Sequence, residues 1–189
     1  MFRLFISVDV KDQSILKAIE VATEEVKQLK SVRLVNSSQL HFTLKFLGDT
    51  PEDKISVINS ALSAIQWMRF DLTLQGLGVF PKPSFPRVVW VGVSSGQQLI
   101  KDLAQKVDKA LFKEGFPKEK RPFSPHLTIG RFKSRNFSSE LLLEILQNFQ
   151  NVEFGRLSVQ EVNLKKSTLT PRGAIYETLS TFSASPTEE

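Results

Sequence analysis

The sequence contains no cysteine and only two histidines among its 189 residues. Without cysteine the chain has no disulfide bonds, thiolate metal ligands or cysteine nucleophiles. A zinc site would have to recruit carboxylates around the two histidines, and the spacing of these residues gives no support for one. We therefore expect any chemistry to come from histidine, hydroxyl, carboxylate and amine side chains, with neither a metal nor another cofactor.

Long apolar segments are also missing. No run approaches the ~18 apolar residues that a membrane span needs, and the N-terminal segment is too short and too strand-like for a signal peptide. The hydrophobic fraction of 41% and the charged fraction of 24% are typical of a soluble globular protein. These features predict one domain over residues 1–189, located in the cytoplasm and without a membrane partner.

Basic side chains are in moderate excess. The chain carries 25 lysines and arginines against 20 aspartates and glutamates, a formal net charge of +5. This balance favours a polyanionic partner such as RNA or a phosphate ester. Many basic proteins bind no nucleic acid, so the charge alone does not identify the partner.

Alternating and helical apolar patterns divide the chain into two similar rounds. Residues 2–80 predict a strand, a helix, a strand that contains His41, a second helix and a last strand. Residues 86–180 predict the same order around His126 and then a further strand. The chain therefore carries each of its histidines on the third element of a round.

Turn chemistry specifies one helix start in detail. Pro51 is expected in the first helical position after an Asp49 or Thr50 N-cap. A turn is expected at 171–173, and the tail from Ser183 onward is expected to be frayed.

Matching spacings connect the two rounds. Arg3 precedes His41 by 38 positions, and Arg87 precedes His126 by 39. A diverged duplication explains the match, although an unrelated α+β chain with similar element lengths would also produce it. Two units related by a pseudo-two-fold axis would bring the histidines face to face. We therefore predict an α+β, bilobal duplicated fold with an antiparallel sheet in each lobe, flanking helices and a cleft between the lobes.

Each histidine is followed two positions later by threonine within an apolar strand. Alternation places His41, Thr43 and Lys45 on one face and the apolar residues between them on the other. The same parity puts His126 and Thr128 together. A lone strand histidine is usually satisfied by a backbone carbonyl, but the repetition of the motif favours a functional pair.

Two facing histidines can supply an acid and a base together. Imidazole has an unperturbed pKa of ~6.5, so one ring can accept a proton near neutral pH while the other donates one. Such a pair suits in-line displacement at phosphorus, where the nucleophile loses a proton and the leaving oxygen gains one. The threonine hydroxyls would donate hydrogen bonds to phosphate oxygens.

The residues also carry a family resemblance. The segments "HFTL" and "HLTI" resemble the paired His-x-Thr-hydrophobic signatures of the 2H phosphoesterase superfamily. More closely, "LHFTLKFLG", "GLGVFPKPSFPRVVWVGV", "PFSPHLTIGR" and "KSTLTPRGAIY" are similar to the RNA 2′,3′-cyclic phosphodiesterases, historically called 2′-5′ RNA ligases. The resemblance covers residues 2–179 and implies a bilobal α+β fold with the active site in the cleft.

The resemblance also implies a reaction and its residues. The reaction is metal-independent hydrolysis of an RNA 2′,3′-cyclic phosphate to a 2′-phosphomonoester, with 2′-5′ ligation as its reversible counterpart. His41, Thr43, His126 and Thr128 match the family's catalytic positions. We assign His41 as proton donor and His126 as base, although pseudo-symmetry leaves the reverse assignment open.

Further substrate-binding candidates are less specific. Arg131 follows the second motif, yet simple alternation places it opposite His126 unless a bulge intervenes. Phe5 is a candidate for stacking on a base, with a core position as the alternative. Lys45 is a candidate for phosphate contact, with a solvated lysine as the alternative. Tyr176, the only tyrosine, matches a family position without a role that the sequence defines.

The expected partner is RNA with a 2′,3′-cyclic phosphate end, such as a tRNA fragment, bound by a monomer. An enzyme of the same superfamily acting on a small cyclic phosphate is one alternative. A non-catalytic RNA-binding module is another, and it would retain its function after loss of either histidine.

Overall fold

The computed structural model describes residues 1–171 and 173–186, in which nine strands form one curled antiparallel sheet flanked by four α-helices. The α+β class predicted from the sequence is confirmed. In chain order the elements are β1 Phe2–Asp9, α1 Gln13–Lys27, β2 Val32–Leu34, β3 His41–Thr50, α2 Lys54–Ser63, β4 Phe70–Lys82, β5 Phe85–Ser95, α3 Gln97–Lys113, β6 Leu127–Phe132, α4 Ser139–Asn148, β7 Glu153–Val159, β8 Glu161–Thr170 and β9 Gly173–Ser183.

The sheet divides into two halves at its centre. Its strand order is β7-β4-β5-β6-β3-β1-β8-β9, with the short β2 also paired to β6. The central strands β3 and β6 share a single residue pair, Phe42 with Leu127. We call the half with β3, β1, β8 and β9 lobe A, and the half with β6, β5, β4 and β7 lobe B.

The helices cross between the lobes. Helix α1 follows β1 of lobe A but packs on β7 and β6 of lobe B, whereas α3 follows β5 of lobe B and packs on β3 of lobe A. Helix α2 lies beside α3 and β9, and α4 lies beside α1 and β4. The two sequence rounds therefore interleave in space, while their origin by duplication stays a prediction.

The core lies between the helices and one face of the sheet. Helix α1 buries Ile15, Ile19, Ala22 and Val26, an apolar stripe with helical spacing. The opposing strands contribute alternate apolar residues, and Phe42 at the sheet centre is fully buried. The other face of the central strands is thus left for polar residues.

The predicted start of the second helix is wrong. Strand β3 continues to Thr50 because β1 supplies a backbone partner there, in the pair Phe2 with Thr50. Pro51 then lies in the turn, and α2 begins only at Lys54, with Asp53 as the N-cap residue. Strand pairing therefore overrides the local helix-start signal.

The expected fraying of the tail is also wrong where the tail is described. The backbone N–H of Ala184 donates to Gln160 O at 2.8 Å, and that of Ser185 donates to Trp67 O at 2.8 Å. Residues 187–189, and Arg172 of the predicted turn at 171–173, lie outside the described residues. Within the ranges that are described, none of the helices combines the length and apolarity needed to cross a membrane.

Candidate active site

The two His-x-Thr motifs flank the single paired contact between the central strands β3 and β6. Phe42 and Leu127 form that contact and are both fully buried on the core side. Their neighbours along each strand therefore point to the opposite face, and each histidine lies across from the threonine of the other motif. The residues gathered in this way are His41, Thr43, His126 and Thr128.

Each histidine is fixed through its Nδ1 atom. Nδ1 of His41 donates to Gln39 O at 2.7 Å, and Nδ1 of His126 donates to Ser124 O at 2.8 Å. A carbonyl oxygen only accepts, so these partners assign the ring proton to Nδ1 and leave Nε2 as the basic atom of the neutral ring. The hydrogen bond to a backbone carbonyl that is expected of an ordinary strand histidine is thus present in both motifs. This bond also orients Nε2 for proton transfer.

The prediction that His41 and Thr43 share a face is confirmed. Nε2 of His41 accepts a hydrogen bond from the Thr43 hydroxyl at 3.1 Å. Thr128 lies on the equivalent face of β6, across from Trp90 of β5. Both hydroxyls therefore border the space next to a histidine.

A β-bulge follows the threonine in each motif. The pairing of β1 with β3 passes over Leu44, and the pairing of β5 with β6 passes over Ile129. One extra residue reverses the alternation of the strand beyond it. The two strands carry this irregularity at the same distance from their histidines, and it decides where two predicted residues, Lys45 and Arg131, lie.

The bulge in β6 returns Arg131 to the face of His126. This is the irregularity that phosphate contact by Arg131 required. Its side chain is exposed, and its charge is close enough to lower the pKa of His41 across the lobe boundary. Arg131 therefore stays a candidate for binding an anion between the two histidines.

The prediction that Lys45 shares the His41 face is wrong. The bulge in β3 turns Lys45 toward the helices, where it is 3% exposed. Its Nζ donates to Asp108 Oδ1 at 2.6 Å and to Pro117 O at 2.7 Å. Lys45 thus connects β3 to α3 and the loop after it. Phe46 takes the place on the site face and is 67% exposed.

Phe5 takes the buried position that was the alternative to its candidate role of stacking on a base. The side chain is 2% exposed and lies under the histidine, with ring centroids 5.1 Å from His41 and 5.0 Å from Tyr176. Tyr176 itself meets the His41 ring edge-on at 5.2 Å. Phe5 and Tyr176 therefore hold the imidazole in place. The one signal for Tyr176 in the sequence is its place in the segment that resembles the family.

A buried charged network surrounds His41 in lobe A. Asp9 lies directly across from His41 in the pairing of β1 with β3. Its carboxylate accepts hydrogen bonds from Lys165 Nζ at 2.6 Å and from the Ser7 hydroxyl at 2.9 Å. Sequence reasoning missed this network, although Ser7 and Asp9 break the apolar run of β1 at alternate positions.

The electrostatics of the network act on His41. Burial lowers the pKa of His41, while its bond to the Gln39 carbonyl and the charge of Asp9 oppose that effect. The positive charges of Lys165 and Arg131 add to the lowering. The neutral ring is therefore favoured in the free protein, and a bound anion would favour the imidazolium.

Aromatic rings take the place of this network in lobe B. Phe80 meets the His126 ring edge-on at 5.0 Å, and its centroid lies 4.9 Å from that of Trp90. The Trp90 indole covers Gly78, where an added Cβ would lie 2.2 Å from the ring. A larger residue at position 78 would therefore displace this aromatic floor.

Metal-ligating side chains do not cluster in the parts of the chain that the structure describes. No group of three or more His, Cys, Asp or Glu residues there is placed to hold a metal ion.

Known proteins match the chain over nearly its whole length. A family model described as the 2′-5′ RNA ligase superfamily matches residues 15–168. A protein of Archaeoglobus fulgidus named RNA 2′,3′-cyclic phosphodiesterase is 38% identical over 95% of this chain and 99% of its own. A relative of the same name from Methanothermobacter thermautotrophicus is 37% identical over 95% and 97%.

Solved structures agree with the sequence relatives. TT0787 of Thermus thermophilus superposes with a TM-score of 0.78 at 28% identity, covering 96% of this chain and 97% of its own. LigT of E. coli, solved in complex with 3′-AMP, gives a TM-score of 0.79 at 23% identity over 98% and 99%, a likeness of fold. The two histidine motifs therefore lie in a chain that belongs to the 2′-5′ RNA ligase superfamily.

Proposed function

We propose that this protein hydrolyses 2′,3′-cyclic phosphate ends of RNA to 2′-phosphomonoesters, with His41 and His126 as its acid and base. The name RNA 2′,3′-cyclic phosphodiesterase, shared by relatives of 34–39% identity, supports the reaction. The observation that carries the proposal is the matched pair of imidazoles, each anchored by Nδ1 to a carbonyl with Nε2 left for proton transfer.

The proposed reaction is an in-line displacement at phosphorus. Nε2 of His126 removes a proton from water as the water oxygen bonds to phosphorus. The bond from phosphorus to the ribose O3′ breaks on the opposite side, and Nε2 of His41 donates a proton to O3′. The 2′-phosphomonoester remains, and one further proton transfer between the rings or with solvent restores the starting state.

The assignment of His41 as acid is supported by its carboxylate neighbour. Asp9 lies across from His41, and its negative charge favours the imidazolium. Continuing the register of β5 with β6 by one residue beyond the pair Val91 with Leu127 puts Gly92 across from His126. Because burial keeps His41 neutral in the free protein, we propose that it takes up its proton together with the anionic substrate.

The remaining groups would stabilise the phosphate. The Thr43 and Thr128 hydroxyls are proposed to donate to its non-bridging oxygens, for which Thr43 exchanges its bond to His41. Arg131 is proposed to add a charge-assisted hydrogen bond. Acid, base and charge stabilisation then each have a protein group, so we propose that the reaction needs no metal.

Several properties extend the proposal. Replacing water with the 5′-hydroxyl of a second RNA strand would give 2′-5′ ligation by the same steps, and the family description supports this reversal. A monomeric state, a cytoplasmic location and tRNA fragments as substrates stay predictions.

The test is the conversion of an oligoribonucleotide that ends in a 2′,3′-cyclic phosphate. Wild type, His41→Ala and His126→Ala are incubated with it in excess chelator, and the terminal phosphate is identified by ³¹P NMR. We expect a 2′-phosphate from wild type alone. Equal conversion by either variant would refute the two-histidine mechanism. Turnover of small cyclic phosphates alone, or RNA binding without turnover, would favour the corresponding alternative.

A further inference from the structure

A pocket of about 650 Å³ opens in lobe B beside His126. Strands β4 and β5, the start of α3 and the loop before β6 form its walls. Its lining combines aromatic, amide-bearing and basic side chains with small residues and with the aliphatic Leu77 and Val93. The lining includes Gln75, Trp90, Ser94, Lys101, Phe123 and Gln150.

The position of the pocket ties it to His126 rather than to His41. Ser124 and Pro125 line it and directly precede His126, and the Ser124 carbonyl holds the imidazole at 2.8 Å. Trp90, another wall residue, pairs with Thr128 in the sheet and therefore faces the same side. The pocket thus continues the face of the site on the side of His126.

The chemistry of the walls suits a nucleotide. The Trp90 and Phe123 rings offer surfaces on which a base can stack. The Gln75 and Gln150 amides can hydrogen-bond to base edges. Lys101 is half-buried in the wall, takes part in no ion pair among the described residues, and can meet a phosphate. The volume lies within the range of small-ligand pockets, about 300–1,000 Å³.

In-line attack places an incoming RNA strand on the His126 side of the phosphate. The leaving O3′ and its ribose lie next to the acid His41, so the attacking oxygen approaches from the side of His126. We infer that the pocket binds the 5′-terminal nucleoside of a second RNA strand, whose 5′-hydroxyl replaces water. This inference rests on the proposed function and on its assignment of acid and base.

The step balances without another reactant. The O5′ oxygen bonds to phosphorus, and its proton passes to Nε2 of His126. The bond from phosphorus to O3′ breaks, and O3′ takes the proton of His41. The product is a 2′-5′ diester, and the same contacts serve its cleavage in reverse.

The experiment measures how one cyclic-phosphate strand partitions between two products. The strand is incubated with a second strand that carries a 5′-hydroxyl, and joined and hydrolysed products are quantified in the same reaction. We expect Lys101→Ala, which removes a phosphate contact, to lower the ratio of joined to hydrolysed product about 10-fold. Ser94→Trp, which fills the pocket, is expected to abolish joining. Lys109→Ala, on the same helix outside the pocket, should leave the ratio unchanged.

The outcomes separate this inference from the proposed function. Hydrolysis by wild type without any joining at saturating second strand would overturn the pocket assignment and leave the phosphodiesterase intact. An unchanged ratio in both pocket variants would also overturn the assignment, since it would exclude the pocket from strand binding. Absence of hydrolysis by wild type would overturn the proposed function itself.

Discussion

The two lobes present the same motif in different surroundings. Each has a histidine fixed by the carbonyl two residues before it, a threonine two residues after it and a bulge beyond. In lobe A the histidine lies over Asp9, which is bound by Lys165. In lobe B it lies beside the Phe80 ring. The two motifs share these backbone features, and the asymmetry lies in the side chains that neighbour each histidine.

This difference bears on how one fold separates an acid from a base. Two imidazoles in identical environments would compete for the same proton, whereas unlike neighbours divide the roles. The clearest difference between the lobes is the residue across the sheet from the histidine, which is Asp9 in lobe A and Gly92 in lobe B. The carboxylate marks the histidine that we propose to carry the proton.

The largest effect is expected from either histidine. His41→Ala and His126→Ala should each lower kcat/KM about 10²- to 10⁴-fold, because each removes one proton transfer. Comparable circular dichroism of both variants would control for folding. A variant that keeps more than a tenth of the activity would show that its lobe does not take part in the chemistry.

A modified leaving group separates the two histidines. With sulfur in place of O3′ in the cyclic phosphate, the leaving thiolate needs no proton. We expect this substrate to restore most of the rate to His41→Ala and little to His126→Ala. The opposite pattern would reverse the acid and base assignment.

The next effect is expected from Arg131. Arg131→Ala should lower kcat/KM about 10- to 100-fold, because a charge-assisted hydrogen bond to the phosphate is lost. Arg131→Lys should recover part of that loss. Arg156→Ala removes an exposed arginine on the edge strand of the same lobe and should have no effect. Equal losses in both arginine variants would point to net charge rather than to a contact.

Sequence reasoning succeeded where the signal is local. The His-x-Thr spacing, the apolar alternation of β1 and the helical stripe of α1 depend on neighbouring residues and matched the structure. It failed for Lys45 because a β-bulge adds one residue to a strand, and no characteristic residue composition marks its position in the sequence. Arg131 was placed correctly only on the condition of such a bulge.

Contacts between distant parts of the chain were also out of reach. Lys165 reaches Asp9 across 156 positions, and the order of strands that makes them neighbours is not written in either segment. The same holds for α2, whose proline signal was overridden by the pairing of Phe2 with Thr50. Phe5 fitted both a core and a stacking role in the sequence, and only its burial under His41 decided between them.

A pH-dependent effect is expected from Asp9. Its charge raises the pKa of His41, so Asp9→Asn should lower that pKa further, as measured by NMR titration of the ring. If His41 is the acid, fewer rings carry the proton above that pKa, so activity falls at alkaline pH and is unchanged at acid pH. If His41 were the base, activity would instead rise at acid pH. Asp9→Asn combined with Lys165→Met controls for the lysine left unpaired.

The smallest effect on catalysis is expected from Lys45, on the helix side of the same strand. The Lys45 side chain is 2% exposed and that of its partner Asp108 is 13% exposed, so Lys45→Met leaves a largely buried carboxylate without its cation. Loss of one member of such a pair lowers the free energy of unfolding by about 3 kcal/mol, which corresponds to a Tm lower by roughly 10 °C for a chain of this size. Because the bulge turns Lys45 away from His41, kcat/KM should stay within about 2-fold of wild type.

Lys109→Met on α3 is the matched exposed control for both measurements. A large fall in kcat/KM at unchanged Tm would place Lys45 on the site face after all, and the two motifs would then differ in backbone as well as in their neighbours.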